Sequence, residues 1–273
     1  MKLTFFEPHD RLKRFIKVIW TFESPVGLPL SDVSIAAPNG RPKLIVSLTN
    51  GIIASVDGSV QSSKDHCVYV VGVRDIPVRL HTRPGKTNFI GFEFYPYGAY
   101  PILKVPLIEL TNRLLPAPQI LRNWRSLPEI ATGFGNLTEQ VELVQELLVR
   151  ELEQAPAINR TVEYCVEALD HSDGLLPISE LEREVGYSKR YLEMLFRQHV
   201  GVSPKTLAGI FRFQRFYKKW AQGQSYDCLK EESYSHYYDQ AHFANEFKRM
   251  TGFYPQRFLR SVTNPFGRQL SQR

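Results

Sequence analysis

The run Gly186-Tyr187-Ser188-Lys189-Arg190-Tyr191-Leu192-Glu193-Met194-Leu195-Phe196-Arg197, followed by Gly201 and Pro204, returns in outline as Asp239-Gln240-Ala241-His242-Phe243-Ala244-Asn245-Glu246-Phe247-Lys248, followed by Gly252 and Pro255. Counted from Ser188, apolar residues stand four and eight positions on, glycine thirteen and proline sixteen. The same offsets from Asp239 give Phe243, Phe247, Gly252 and Pro255. A repeat held in both spacing and residue type marks a repeated structural unit. Ser188 and Asp239 suit N-caps, because their side-chain oxygens can accept from orphan backbone N–H groups. The residues at plus four and plus eight bury one helical face. Gly201 and Gly252 can take positive φ and stop the helix, and Pro204 and Pro255 suit the first turn of the next. Ahead of the first copy, Ile178 to Tyr187 reads as a short helix and a glycine turn. Helix, glycine turn and helix together make a helix-turn-helix unit.

The opposite face of each second helix carries the chemistry. In the first copy it offers Arg190, Glu193, Met194 and Arg197, with Lys189 at the helix start. In the second it offers Ala241, Ala244, Asn245 and Lys248, with Gln240 at the start. Arginine can pair bidentately with guanine and asparagine with adenine. Glutamate can accept from cytosine, and alanine or methionine can touch the thymine methyl. The distal Arg197 and Lys248 are better placed for phosphates. Any amphipathic helix has a polar outer stripe, but two copies with matched caps, glycine and proline favour double-stranded DNA as the partner. Pro204 to Gly223 reads as one long helix joining the copies, with Leu207, Ile210, Phe211, Phe213, Phe216, Tyr217 and Trp220 on a broad apolar surface. Such a helix would hold the two units apart at a fixed distance. Arg212, Arg215, Lys218 and Lys219 read as its solvated face.

Working outward, Pro156 marks a change of texture. The first 115 or so residues are β-rich, with strands at Lys43-Leu44-Ile45-Val46-Ser47-Leu48, Val68-Tyr69-Val70-Val71-Gly72-Val73 and Phe89-Ile90-Gly91-Phe92-Glu93-Phe94. Turn clusters such as Pro38-Asn39-Gly40 and Arg83-Pro84-Gly85 punctuate them. Leu12, Phe15, Ile16 and Ile19 recur at helical spacing, so a short helix is expected before the strands. Leu137 to Gln154 reads as a helix with Val141, Val144, Leu148 and Leu152 on one face. That stripe could join two copies of the chain or pack on its own domain. The expected fold is α+β in two domains. Residues 1–125 form a β-rich, barrel-like domain, 126–155 a linker and helix, 156–262 an all-α domain with two helix-turn-helix units, and 263–273 a tail.

Composition narrows the function. The chain of 273 residues is 43% hydrophobic with net charge +6, which suits packed domains and permits a polyanionic partner. No run of about 18 apolar residues suggests a membrane span, and the start of the chain lacks the apolar stretch of a signal peptide, so a cytoplasmic location is expected. Cys67, Cys165 and Cys228 are too scattered for a zinc site or a disulfide framework. No His-x-x-x-His pair or glycine-rich phosphate loop is present, so no catalytic residue, metal or cofactor is expected. Arg41, Arg74, Glu93, Tyr95 and Tyr97 stand at strand ends or turns, where ligand-binding side chains often sit. They are the candidates for a small-effector site, although ordinary rim positions account for them as well.

The stretch from Ser179 to Pro204, and Tyr237-Tyr238-Asp239-Gln240-Ala241-His242-Phe243 through Gly252 and Pro255, resemble the two helix-turn-helix units of the AraC/XylS-type transcription regulators. Pro38-Asn39-Gly40-Arg41-Pro42-Lys43-Leu44-Ile45 and Gly91-Phe92-Glu93-Phe94-Tyr95-Pro96-Tyr97-Gly98-Ala99 are similar to a poorly characterised domain found ahead of this region. The resemblance implies a bacterial regulator whose amino-terminal domain binds a small molecule, self-associates, or both, with RNA polymerase as a further partner. It places Arg190, Glu193, Met194, Ala241, Ala244 and Asn245 against bases. Three positions depart from the family pattern: Glu182 replaces a small packed residue, His236 replaces the turn glycine of the second unit, and Leu229 to His236 is two residues longer than Leu181 to Gly186. Base specificity is therefore expected chiefly from the first unit, and backbone positioning from the second. A ligand-binding or scaffolding protein that has lost DNA binding is the alternative.

Overall fold

The computed structural model of the protein describes residues 1–28, 35–121, 124, 135–227, 229, 231 and 239–261. Cys228, His236, Tyr237, Tyr238, the start of the 126–155 segment and the tail 263–273 lie outside the described residues. The amino-terminal strands are β1 (Lys2–Phe6), β2 (Ile16–Ser24), β3 (Ile35–Ala36), β4 (Lys43–Thr49), β5 (Ile53–Val56), β6 (Ser59–Ser62), β7 (Cys67–Val71), β8 (Val78–His81), β9 (Thr87–Phe94) and β10 (Leu114–Pro116). They form two antiparallel sheets, ordered β1-β2-β9-β4-β7-β10 and β3-β8-β5-β6. The domain is barrel-like only loosely, since both sheets stay open.

Strand alternation gives the larger sheet two apolar faces. One face carries Leu44, Val46, Ile90, Phe92, Val68, Val70 and Ile19. It is covered by α1 (Ala99–Leu103) and by α2 (Leu137–Leu152) through Val141, Val144 and Leu148. The apolar stripe of α2 is thus used within its own domain, and Leu143 is left exposed. Asn136 caps α2 in a reciprocal capping box with Glu139. The other face carries Trp20, Phe22, Ile45 and Phe89 and looks toward the smaller sheet.

The helix expected around Leu12 to Ile19 is instead a single 3-10 turn, Asp10–Leu12, followed by β2. Ile16-Lys17-Val18-Ile19-Trp20-Thr21-Phe22 is β-branched and aromatic. It gains ladder partners on both sides, β1 and β9, and tertiary pairing outweighs the helical spacing.

The carboxy-terminal region contains α3 (Arg160–His171), α4 (Ile178–Val185), α5 (Lys189–His199), α6 (Pro204–Ala221), α7 (Gln240–Thr251) and α8 (Pro255–Ser261). It has two cores. Val162, Cys165, Leu181, Leu192 and Phe196 fill the first, and Phe243, Phe247, Met250 and Phe258 the second. Helix α6 enters both: Leu207, Ala208 and Phe211 join the first, while Ile210, Phe213, Phe216, Tyr217 and Trp220 join the second. It is the long connecting helix expected from the sequence, and it is packed on nearly every side. Burial pushes the Cys165 thiol up to about 11, as suits a structural cysteine.

Candidate DNA interface and interdomain cavity

Helix α5 starts where Ser188 accepts from the Tyr191 N–H and follows Gly186, which sits at φ +68°. Leu192, Leu195 and Phe196 turn inward. Lys189, Arg190, Met194 and Arg197 are exposed, and Glu193 is half-buried. Helix α7 repeats the design. Asp239 accepts from the His242 N–H at 2.7 Å, Gly252 ends the helix at φ +78°, and Phe243, Phe247 and Met250 face the core. Gln240, Ala241, Asn245 and Lys248 are exposed, with Ala244 half-buried. Each unit therefore presents its five sequence-assigned residues along one outward stripe. Among the described residues, none of the ten takes part in an ion pair. Lys248 lies over the Tyr254 ring at 4.6 Å.

Two cations of α6 expected to be solvated are tied in instead. Arg212 donates to the Gly174 carbonyl beside the first unit at 2.8 Å and reaches Glu246 of α7 at 3.5 Å. Arg215 pairs with Asp173 at 3.1 Å. Burial on a crowded helix gave both side chains partners that spacing alone did not reveal.

The amino-terminal domain touches both units. Thr111 donates to the Gly201 carbonyl at 2.6 Å, and Gln198 to the Tyr100 hydroxyl at 2.9 Å. His199 packs on the Tyr100 ring, and burial holds its imidazole below the ordinary value. On the second unit, Arg79 lies over Phe253 at 6.0 Å, and Gln214 of α6 donates to the Pro38 carbonyl.

A cavity of about 230 Å³ lies between the two sheets. Its walls are apolar: Trp20, Phe22, Ile45 and Phe89 on one side, Ala54, Val78 and Leu80 on the other. A side chain at Gly91 would collide with the Trp20 ring, so this glycine lets the indole lie against β9. Helix α6 roofs the cavity with Phe211, Gln214 and Tyr217.

Polar groups gather at the end nearest that roof. Glu93, 2% exposed, meets Lys43 at 3.7 Å, Arg41 at 3.5 Å and the Asn39 amide at 3.1 Å. Burial pushes the Glu93 carboxyl up, but Lys43 and Arg41 beside it more than offset this and leave it below the usual carboxylate range. Of the five effector candidates, Arg41, Arg74 and Glu93 line the cavity. Tyr95 and Tyr97 do not. They stack on each other at 5.5 Å, and Tyr97 donates to Glu167 of α3. Lys43, Asn39 and the α6 roof were missed. Lys43 was legible as a charged residue on the inward parity of β4, paired in register with Glu93.

These features define a two-domain protein, with a β domain enclosing a cavity and a helical domain that bears a helix-turn-helix unit at α4 and α5 and, among the described residues, a second capped helix of the same design at α7. Residues 181–261 match the family described as helix-turn-helix domain, and residues 4–116 match one described as a domain of unknown function. The carboxy-terminal region thus carries a helix-turn-helix domain, preceded by that domain of unknown function. The chain is similar to an apo form of ToxT from Vibrio cholerae, at 12% identity over 89% of this chain and 98% of that one, with a TM-score of 0.47. It is also similar to the AraC-like transcriptional activator CuxR, at 19% identity over 77% of each chain, with a TM-score of 0.27. No curated protein matches it. Among the described residues, no helix is long and apolar enough to cross a membrane, and no group of three or more His, Cys, Asp or Glu could hold a metal ion.

Proposed function

We propose that this protein is a sequence-specific DNA-binding transcription regulator that responds to a small molecule held in the interdomain cavity. The observation that carries the reading is the pair of capped helices, α5 and α7, whose outward stripes hold cations free of ion pairs. Arg190, Glu193 and Met194 read bases, and Lys189 and Arg197 hold phosphates. In the second unit Gln240, Ala241, Ala244 and Asn245 face the groove and Lys248 holds the backbone. Residues 1–125 form the effector domain and 156–262 the DNA-binding domain, acting in the bacterial cytoplasm. RNA polymerase contact and homodimer formation belong to the same reading. Any dimer must use a face other than the buried stripe of α2.

The cavity is roofed by the helix that carries both units, so a ligand there can bias how they are held. The test is a gel shift on DNA from upstream of the protein's own gene across a salt series. Binding should weaken with salt at a logarithmic slope of about −0.9 for each phosphate contact. Absence of binding at low salt would overturn the reading and leave a ligand-binding scaffold.

A further inference from the structure

The inference below rests on the effector-cavity reading and deepens it by naming the class of ligand. The end of the cavity nearest the α6 roof is lined by three cations, Arg41, Lys43 and Arg74, and by one carboxylate, Glu93. Glu93 is shared by Arg41 and Lys43. Arg74 has no carboxylate partner among the described residues, and its bond is to a neutral acceptor, the Asn112 carbonyl at 3.2 Å. The other cavity-lining acids, Asp170 and Asp173, lie on the α3 side, and Asp173 is already engaged by Arg215. This polar end therefore carries a local excess of two positive charges in a half-buried setting.

Such an excess is costly without a counter-charge. Burial holds the Arg74 guanidinium down at about 10, and no neighbouring anion raises it. Beyond this end the cavity is apolar. From the Lys43/Glu93 row to the Ser47/Phe89 row is four residues of β4, or about 13 Å of strand. Ile45, Trp20, Phe22 and Phe89 line that depth from one sheet, and Ala54, Val78 and Leu80 from the other.

We propose that the effector is an amphiphilic anion, with a carboxylate or phosphate head at Arg74, Arg41 and Lys43 and an apolar body between the two sheets. The head supplies the missing negative charge and can take a bidentate pair from the Arg74 guanidinium. The body replaces water against the aromatic walls. A neutral molecule of the same shape would fill the walls and leave the cations uncompensated.

The test uses the full-length protein and three probes with one tail: decanoate, decyl phosphate and decan-1-ol. Binding is followed by titration calorimetry. At least one anion should bind about tenfold or more tightly than the alcohol, and the better of the two identifies the head as carboxylate or phosphate. Arg74→Gln should weaken the preferred anion about tenfold while leaving the alcohol within a factor of about two, and Arg74→Lys should restore part of the loss. Lys43 is not the residue to change, because its removal would strip Glu93 of a partner as well. The unchanged alcohol affinity of Arg74→Gln certifies that the variant's cavity is intact. If the alcohol binds as tightly as both anions, or Arg74→Gln leaves the preferred anion unaffected, the anion inference is overturned while the effector cavity stands. If none of the three binds, the anion inference and the cavity reading fall together.

Discussion

Arg212 is where the two helix-turn-helix units are bound to each other by charge, and its replacement by methionine tests whether that bond matters. Its guanidinium joins the Gly174 carbonyl, at the edge of the first unit, to Glu246 on α7. The Glu246 side chain is 8% exposed and that of Arg212 is 22% exposed. At 3.5 Å the gross attraction is about 5 kcal/mol for an effective dielectric of about 20, most of it offset by desolvation. Arg249 also reaches Glu246 at 3.5 Å, so loss of Arg212 does not fully orphan the carboxylate. Arg212→Met should therefore cost about 2 kcal/mol, below the roughly 3–5 kcal/mol of a stranded buried charge. Glu246→Leu should cost about 1–2 kcal/mol, and the double variant should recover much of the loss, because an apolar pair can replace a buried ion pair. Urea unfolding followed by fluorescence, with Trp220 in the second core, measures each term. The coupling energy should exceed about 1 kcal/mol. Additive losses, or a cost below about 0.5 kcal/mol for Arg212→Met, would show that the apolar faces of α6 alone hold the units together.

Arg190→Ala should cost about 1–3 kcal/mol on the specific site and relax preference at one base pair, whereas Lys248→Ala should weaken all sequences evenly. Competition gel shifts separate the two, and identical behaviour would refute the division of roles. Val144→Glu should destabilise the amino-terminal domain by several kcal/mol, since Val144 is fully buried against the large sheet and the new charge would have no partner. An unfolding transition like that of the parent would contradict the packing of α2. Glu93 has a folded pKa below its ordinary value of 4.5, so it contributes stability above that pH and loses it as pH falls through the lower folded value. Glu93→Gln should flatten that part of the acid limb in a pH series of melting temperatures, and an unchanged limb would refute the assignment.

The helical half was legible because its signals are local. Caps at Ser188 and Asp239, stops at Gly186 and Gly252 and prolines at 204 and 255 each act within a turn or two of chain. The amino-terminal half depends on pairings distant in sequence. β2 carries a helical spacing of apolar residues and still becomes a strand, because β1 and β9 flank it. The short strands β5, β6 and β8 have little signal alone and exist as partners of one another. The cavity was half legible: Arg41, Arg74 and Glu93 were found from their places at strand ends. Tyr95 and Tyr97 shared that position, but the chain turns there and places them against α3 rather than in the cavity. No local pattern could have named Gln214 or Phe211, whose part in the cavity comes from the docking of one domain on the other.

That docking is uneven, and the unevenness predicts how an effector signal should travel. The hydrogen bonds that Tyr100 and Thr111 make to the first unit involve no residue that lines the cavity, and on that unit's side the lining is limited to Phe211 at the edge of its core and to Asp170 and Asp173. Contacts to the second unit lie in or beside the cavity wall. Ile35 lines the cavity and is buried in the second core. Val78 and Leu80 line it from β8, while Arg79 between them lies over Phe253, just past α7. Gln214 lines it and holds the Pro38 carbonyl. A ligand shifts an equilibrium only through differential affinity for the two states. The states it can distinguish here are those in which β3, β8 and α6 move. Effector binding should therefore change how the second unit is set against the first. It should alter affinity for DNA bearing both half-sites by about 1–3 kcal/mol and affinity for the first half-site alone by much less. Quantitative gel shifts on the two DNAs, with and without the anion that binds best, measure both terms. An equal change on both would mean that the signal passes through Tyr100 and Thr111 instead, and the coupling through the cavity wall would have to be abandoned.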